Sequence, residues 1–439
     1  MKHRELKKML LIAVIALIAA SIIFSKKERQ SLEIDQVSNK MNVKASLIQV
    51  NSRDVIYIKC KFKNAGVLHN PLDKHGISAV AAHMLFRRIN GLSEEETAEK
   101  ICDLGIHNFS TLTDGDDFEI SFFVIDTKAN EALKFLASAF SCKDFSSSYL
   151  EHVKQIYPYV LDVDTSDPFQ LLHDKMFSML YKDSTYGMSD SGSSLAVSSI
   201  TTADIVDFVK NMLRRDNLEV VFAGKVSRFD INDYLKILLD GISSEERESE
   251  PFKLSEDMSD EKTAVITRSN MKDVACVMTG VRLDGLTDLE RAAVEIIFKA
   301  LFDTQIGDFS KGLREKGITY DVSRYSVRRT LSDVFYITAC LNKDDLQNYT
   351  KYLDEKFADY FRKVNQKELE RIKNYFIKIS HDGFESLQDL DEKIKDASLP
   401  FDEVTPEICE KAARKLFDHA HIRTVIIRDA SAQIASPPD

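Results

Sequence analysis

Apolar and polar positions fall into short runs that predict two groups of strands, each interleaved with helices. In the first half, Lys44 to Val50 and Asp54 to Phe62 are rich in β-branched residues and predict two neighbouring strands. Two more strands are expected at His107 to Leu112 and at Asp117 to Asp126, where phenylalanine and isoleucine alternate with other residues. A strand from Leu218 to Ala223 closes this half.

Helical periodicity fills the intervals between these strands. Ser93 and Glu96 form a capping-box pattern that marks the start of one helix. The helices of the first half are expected at Lys74 to Arg88, Ser93 to Leu104, 128–141, 146–160, 168–181 and 202–213.

The second half repeats the order of the first. Its strands are expected at Thr263 to Thr267, Val274 to Val281, 319–328, 332–341 and Arg423 to Ile427. Its helices are expected at Asp288 to Phe302, 305–315, 343–361, 366–378, 384–394 and 405–417. A strand pair, helices, a second strand pair, more helices and a last strand make an α+β plan, and its use twice indicates duplication.

Composition divides the chain into segments around these halves. Residues 42–242 and 263–430 are expected to form two domains, joined by residues 243–262, whose many acidic and few apolar residues are typical of a linker. The tail 431–439 is expected to be disordered.

The amino terminus has the pattern of an export signal. Lys2, Arg4, Lys7 and Lys8 precede an apolar run from Met9 to Phe24. We therefore expect residues 1–30 to be an uncleaved membrane anchor, or alternatively a cleaved signal peptide, with the body outside the cytoplasm, in the periplasm or on the outer face of a membrane.

The net charge of the chain argues against nucleic acid as a binding partner. The chain has 439 residues with 59 basic and 70 acidic side chains, so its formal net charge is −11. A nucleic-acid groove needs a basic face, and an acidic chain is a poor candidate for one. The hydrophobic fraction of 44% is enough to form a buried core.

The six cysteines are widely spaced and contain no Cys-x-x-Cys pair. They are Cys60, Cys102, Cys142, Cys276, Cys340 and Cys409. Most lie in apolar runs and are interpreted as buried thiols, although some could pair in an exported protein.

Two charged clusters are interpreted as solvent-facing. Asp114, Asp116 and Asp117 are expected in a solvated hairpin turn, and Arg328 and Arg329 are expected on the surface.

The segment from Gly76 to Phe86 resembles the zinc-binding helix of peptidase family M16, the insulinase and mitochondrial-processing-peptidase group. In that family two histidines four residues apart bind zinc, and the glutamate beside the second histidine is the general base. In this chain Ala79 stands at the first histidine position and Ala82 at the glutamate position, and only His83 remains.

Two further stretches extend the resemblance. Tyr186 to Gly224 is similar to the end of the family's first domain, and Phe309 to Val322 resembles the family's Leu-Arg-Glu-Lys-x-Gly-Leu-Ala-Tyr segment. The resemblance implies that Arg314 and Tyr320 help to bind the substrate backbone. It covers about residues 42 to 430 and implies two tandem homologous M16-type domains, each an antiparallel-rich sheet packed with helices.

The family's third zinc ligand is a glutamate in a helix that ends before an acidic residue and a proline. The matching corner here is Asp167 and Pro168, and the ligand position falls near Pro158 to Val160, where there is no carboxylate. Catalytic zinc needs three protein ligands, so we expect no zinc and no other cofactor.

The resemblance therefore implies a non-catalytic subunit. Such a chain would pair with an active M16 zinc peptidase, help to bind extended peptides by β-strand addition, and contact a membrane through its amino-terminal segment. Two alternatives remain open: a zinc metalloendopeptidase that acts alone with atypical ligands, and a non-enzymatic scaffold or assembly protein at a membrane.

Overall fold

The computed structural model describes two mixed sheets with helices packed around them. The described residues are 34–37, 41, 43–49, 54–89, 91–113, 115–142, 144–189, 192–245, 254–255, 257–304, 307–319, 321–360, 366–381 and 399–429. Within these, residues 158–166, 358–360, 368 and 375–381 are described by their backbone alone. The expected export signal, the helix 384–394 and the tail 431–439 lie outside the described residues.

The first sheet has six strands in the order β1-β2-β6-β3-β5-β4. Its strands are β1 (Ile34–Val37), β2 (Lys44–Gln49), β3 (Val55–Phe62), β4 (His107–Thr113), β5 (Phe118–Ile125) and β6 (Leu218–Gly224). Strand β2 pairs with β6 in parallel, and the other neighbours are antiparallel.

The second sheet has five strands in the order β7-β11-β8-β10-β9. Its strands are β7 (Thr263–Thr267), β8 (Val274–Asp284), β9 (Ser323–Arg328), β10 (Ser332–Asn342) and β11 (Ile422–Arg428). Strand β7 pairs with β11 in parallel, as β2 does with β6, so this sheet repeats the first one without β1. The predicted α+β class and its duplication are confirmed.

Helices connect the strands in the same order in both halves. The first half contains α1 (Ile77–Met84), α2 (Glu94–Asp103), α3 (Ala129–Phe140), α4 (Ser147–Ser166), α5 (Pro168–Leu180), α6 (Ser194–Ser198), α7 (Thr202–Met212) and α8 (Arg228–Leu239). The second half contains α9 (Asp288–Phe302), α10 (Asp308–Glu315), α11 (Leu346–Tyr360), α12 (Gln366–His381) and α13 (Pro406–Leu416). Strand β1 and helices α6 and α8 were not predicted. Within the described part of the chain, none of these helices has the length and apolarity that a membrane crossing requires.

Alternation along the strands determines which face of each sheet is buried. Ile56, Ile58, Cys60 and Phe62 of β3 point into the first core, which the helices of the first half cover. The opposite face of the same strands carries an ion pair between Lys59 Nζ and Glu119 Oε2 at 2.6 Å, with both side chains almost fully buried.

The second sheet is covered on both faces. The helices of its own half cover one face, whereas α5, from the first half, packs against β8 and β11 on the other. Asp167 caps α5 by accepting a hydrogen bond from the Phe169 N–H at 2.9 Å, and Pro168 occupies the first helical position. Besides the core of each half, a further apolar core is formed by residues of both halves.

The acidic stretch 243–262 is bound to the first half at its start, where Ser243 forms a bridge with Arg214, and its later described residues lie against the second sheet. The buried guanidinium of Arg282 donates to the Ser255 carbonyl at 2.8 Å. Arg423 donates from two nitrogens to the Ser259 carbonyl, at 2.7 and 3.0 Å. These bonds hold the connecting segment at two points.

A buried polar cluster joins the tips of two hairpins, one from each sheet. Asp116, in the β4–β5 turn, accepts hydrogen bonds from the Tyr186 hydroxyl at 2.5 Å and from the Thr330 N–H at 2.6 Å, and it lies 3.1 Å from His69 Nε2. Arg329 donates to the Tyr186 carbonyl at 2.8 Å.

The prediction that Asp116 and Asp117 lie in a solvated turn was wrong, because their exposed fractions are 5% and 3%. The prediction of surface arginines was also wrong: Arg329 is buried, and Arg328 pairs with Glu295 at 3.2 Å. The opposite half of the molecule supplies a partner to Asp116 through Thr330 and to Arg329 through Tyr186. Asp117 pairs with Lys61, and Arg328 with Glu295, inside their own halves. Asp114, the third residue of the predicted turn, lies outside the described residues.

The interpretation of the cysteines as buried thiols was wrong for one pair. Cys276 and Cys340 are register partners on β8 and β10 and form a disulfide. Cys60, Cys142 and Cys409 are buried thiols, and Cys102 is exposed.

Candidate functional site

Close backbone packing fixes the start of α1. Gly76 has φ of 104°, and a Cβ atom placed on Gly192 would lie 2.6 Å from the Gly76 Cα. The fully buried His75 contacts the Ser189 carbonyl through Nε2 at 2.9 Å. Residues 72–74 form a separate turn, so the helix begins at Ile77 and not at Lys74 as predicted.

Helix α1 carries the three family positions, and two of them line an open cleft. Ala79 and Ala82 are half-buried and His83 is exposed. Ala82 and His83 line a cleft of about 580 Å³, together with Phe86 and Phe109, whose rings meet edge to face at 4.5 Å. The cleft thus combines an apolar surface with one imidazole, and the charged residues Arg87, Glu94 and Glu95 also line it.

The outermost strand of the first sheet, β4, forms one wall of this cleft. Thr111 lines the cleft and donates from Oγ1 to the Ala82 carbonyl at 3.2 Å, which ties the strand to the helix. The pairing of β4 with β5 is irregular between His107 and Ser110, and Asn108 has φ of 49°. Only one edge of β4 is paired within the described sheet.

The electrostatic environment of the cleft favours a neutral imidazole. Partial desolvation by the cleft walls, followed by the positive charge of Arg87, lowers the pKa of His83 below its ordinary value. Arg87 also pairs with Glu94 at 3.0 Å, with both side chains about half exposed.

The residues present do not fit a catalytic zinc ion. The methyl groups of Ala79 and Ala82 supply no ligand and no base, which leaves His83 as the one donor from this helix. Among the described residues, no group of three histidine, cysteine, aspartate or glutamate side chains could hold a metal ion. The expected third-ligand position, Pro158 to Val160, lies within α4, where side chains are not described.

Arg314 lies in a different part of the molecule, in the last turn of α10. The Ile318 N–H donates to the Leu313 carbonyl and the Gly317 N–H to the Arg314 carbonyl, both at 3.0 Å. With φ of 68° at Gly317, this is a Schellman motif, and Leu313 and Ile318 belong to the same apolar core. The Leu-Arg-Glu-Lys-Gly-Ile sequence is therefore explained in part by the way in which it ends this helix.

The segment after this motif borders a second groove, of about 760 Å³, at one end of β8 and β10. Arg314, Thr319 and Cys340 line it, and Thr319 Oγ1 donates to the Cys340 carbonyl at 3.1 Å. Tyr320, the predicted partner of Arg314, lies outside the described residues.

The structure does not bring the predicted site residues together. His83 lies beside the edge of the first sheet and Arg314 beside the second, and the two pockets share no lining residue. Phe109 and Thr111 line the first pocket and were not predicted from the sequence. The phenyl side chain of Phe109 among the mostly polar residues of β4 is the signal that could have identified it.

Two descriptions of one peptidase family match successive parts of the chain. Residues 49–189 match the model of the insulinase family, peptidase family M16, and residues 199–376 match that of the peptidase M16 inactive domain. The chain belongs to peptidase family M16.

Individual proteins are similar to this chain in sequence or in fold. A curated relative, an uncharacterized zinc protease of Rickettsia felis, is 25% identical over 69% of this chain and 72% of its own length. The M16 inactive domain of Pseudomonas fluorescens has a TM-score of 0.76 at 18% identity, over 92% of this chain and all of that one. The periplasmic protease PqqL of Escherichia coli has a TM-score of 0.69 at 13% identity, over 91% of this chain and 46% of that one. These structures share the fold.

Proposed function

We propose that this chain is a non-catalytic M16 subunit that pairs with an active M16 zinc peptidase and helps to bind extended peptides. The observation that carries the proposal is the pair Ala79 and Ala82 on α1, which stand where the family has a zinc ligand and the general base, while Ala82 and His83 still line an open cleft.

The edge of the first sheet supports the peptide-binding part of the proposal. An extended peptide can pair with the open side of β4, whose other side is bonded to β5. A side chain of such a peptide would reach the cleft floor formed by Phe86 and Phe109. An apolar side chain fits this floor because it gains burial there.

Export is part of the proposal. The amino-terminal basic and apolar runs have the pattern of an anchor or signal. The Cys276–Cys340 disulfide is of a kind that persists in oxidising compartments. The similar fold of a periplasmic protease is compatible with that location.

Co-expression tests the pairing. The partner is an M16 chain from the same genome that has an intact His-x-x-Glu-His helix, and the products are separated by size-exclusion chromatography. We expect a stable heterodimer that cleaves peptides faster than the partner alone, and we expect Arg314→Ala to lower kcat/KM of the pair. Recovery of this chain only as a monomer or homodimer, with no effect on the partner's activity, would overturn the proposal.

Metal analysis separates the proposal from a peptidase that acts alone. We expect zinc well below one equivalent in the purified chain. Zinc near one equivalent, lost to a chelator together with peptidase activity, would show instead that atypical ligands bind the metal.

A further inference from the structure

The groove beside Arg314 contains a positive charge that has no recorded ion-pair partner among the described residues. Val274, Ile318 and Leu341 give it apolar walls, and among its described lining residues Arg314 is the one charged side chain. Arg314 is half-buried, and within the described part of the chain it has no recorded hydrogen bond or ion pair. A guanidinium of this kind has lost part of its hydration without gaining an anion.

A second hydrogen-bond donor lines the same groove. Asn342 Oδ1 accepts a hydrogen bond from the Asp344 N–H at 3.0 Å, which assigns the amide oxygen. The Nδ2 group of Asn342 is then left as a donor, with no recorded partner among the described residues. Arg314 and Asn342 together offer donors to an acceptor in the groove.

The floor of the groove is held in place covalently. Cys340 lines the groove and is bonded to Cys276 on the neighbouring strand. Thr319 Oγ1 donates to the Cys340 carbonyl and ties the segment after α10 to this floor. A groove formed in advance binds its ligand at a smaller entropic cost.

Two acidic residues next to groove-lining residues in the sequence lie close to lysines. Glu315, the next residue along α10, lies 3.8 Å from Lys311 on the exposed side of the helix. Asp273 lies 3.4 Å from Lys343 and is 82% exposed. The chain as a whole carries a net charge of −11, so an arginine with no recorded carboxylate partner among the described residues is unusual for this protein.

We propose that the Arg314 groove binds a carboxylate of the bound peptide, either its carboxyl terminus or an acidic side chain. A planar guanidinium can donate two parallel hydrogen bonds to a carboxylate. A neutral carbonyl oxygen binds it more weakly because it carries no net negative charge. This inference rests on the proposed peptide-binding function and names the chemistry of its substrate: the preferred peptides carry a negative charge where they reach α10.

Three labelled peptides of one apolar sequence distinguish the sources of the carboxylate. The first ends in a free carboxylate, the second in an amide, and the third in an amide with one internal glutamate. Fluorescence anisotropy measures their dissociation constants with the full chain, alone and paired with an active M16 partner. We expect one of the two acidic peptides to bind about tenfold more tightly than the neutral one. The acidic peptide that gains affinity identifies the source.

Variants of α10 assign the effect to Arg314. We expect Arg314→Ala to remove the preference for the acidic peptide and Arg314→Lys to restore part of it. Lys311→Ala removes an equal charge from the exposed side of the same helix and should keep the full preference. A urea unfolding curve for each variant checks that the fold is intact.

The outcomes separate this inference from the proposed function. Equal binding of all three peptides would overturn the carboxylate site and leave peptide binding in place. A preference that persists in Arg314→Ala would also overturn it. If no peptide binds to the chain or to the pair, the proposed function fails as well.

Discussion

The carboxylate of Asp116 accepts a hydrogen bond from the backbone N–H of Thr330, 2.6 Å away in space and 214 residues later in the chain. The two residues lie at the tips of equivalent hairpins, β4–β5 and β9–β10. Strand β4 forms a wall of the cleft beside His83, and β9 follows the segment that carries Arg314. This contact therefore connects the elements that carry both candidate sites.

Asp116→Asn should destabilise the fold. Asp116 now accepts hydrogen bonds from Tyr186 and Thr330. The amide nitrogen of the asparagine would face at least one of these two donors, and that buried donor would be left without an acceptor. We expect the free energy of unfolding to fall by about 2–4 kcal/mol, as measured by urea denaturation. Asp240→Asn, at an exposed position, should change it by less than about 0.5 kcal/mol. Equal effects of the two substitutions would contradict this role of Asp116.

The same residue predicts a pH dependence. Burial raises the pKa of Asp116, but hydrogen bonds from His69, Tyr186 and Thr330 outweigh this effect and lower it to about 2. The native state therefore favours the ionised form, and this stabilisation is present above about pH 4 and is lost as the pH falls towards 2. We expect a loss of about 2 kcal/mol between these limits. Urea midpoints of wild type and Asp116→Asn should differ at pH 6 and converge near pH 2; a constant difference would contradict the assignment.

The disulfide should contribute to stability through the unfolded chain. Cys276 and Cys340 are 64 residues apart, and closing a loop of this length is expected to stabilise the fold by about 4 kcal/mol. Reductant should lower the urea midpoint of the wild type and leave a Cys276→Ala/Cys340→Ala variant unchanged. Cys102→Ala, at an exposed thiol, should respond to reductant as the wild type does. A reductant effect that persists without both cysteines would point to another cause.

Gly192→Ala should disturb the start of α1. The new Cβ would lie 2.6 Å from the Gly76 Cα, so the backbone would have to move. Gly91 is a matched control, because its φ of 81° is close to the 80° of Gly192 and no atom lies within 4 Å of its Cβ position. Gly91→Ala should cost about 1–2 kcal/mol from backbone strain alone. Gly192→Ala should cost clearly more in urea denaturation, and equal costs would mean that the loop adapts.

The sequence predicted most of the elements because their signals are local. Alternation along β3 and β5 and the capping box of Ser93 and Glu96 depend on neighbouring residues. The same holds for the segment around Arg314, whose Schellman motif needs only Leu313, Gly317 and Ile318 in order. Strand β1 was missed because four residues carry too short a pattern.

Contacts between distant parts of the chain could not be predicted in this way. The sequence around Asp116 and Arg329 has the polarity of exposed turns, and only the meeting of two hairpins buries these charges. The pairing of Cys276 with Cys340 follows from the register of β8 and β10, which six widely spaced cysteines do not reveal.

The sequence by itself determined the family resemblance and the degenerate zinc motif, because Ala79 and Ala82 are visible at the motif positions without any coordinates. The tertiary structure alone decided what surrounds the remaining residues. It placed His83 in a cleft walled by β4, placed Arg314 in a separate groove, and packed α5 of the first half onto the second sheet. The identity of a side chain can be read at its own position in the sequence. Its burial and its hydrogen-bond partners depend on residues that can be as far away in the chain as Thr330 is from Asp116.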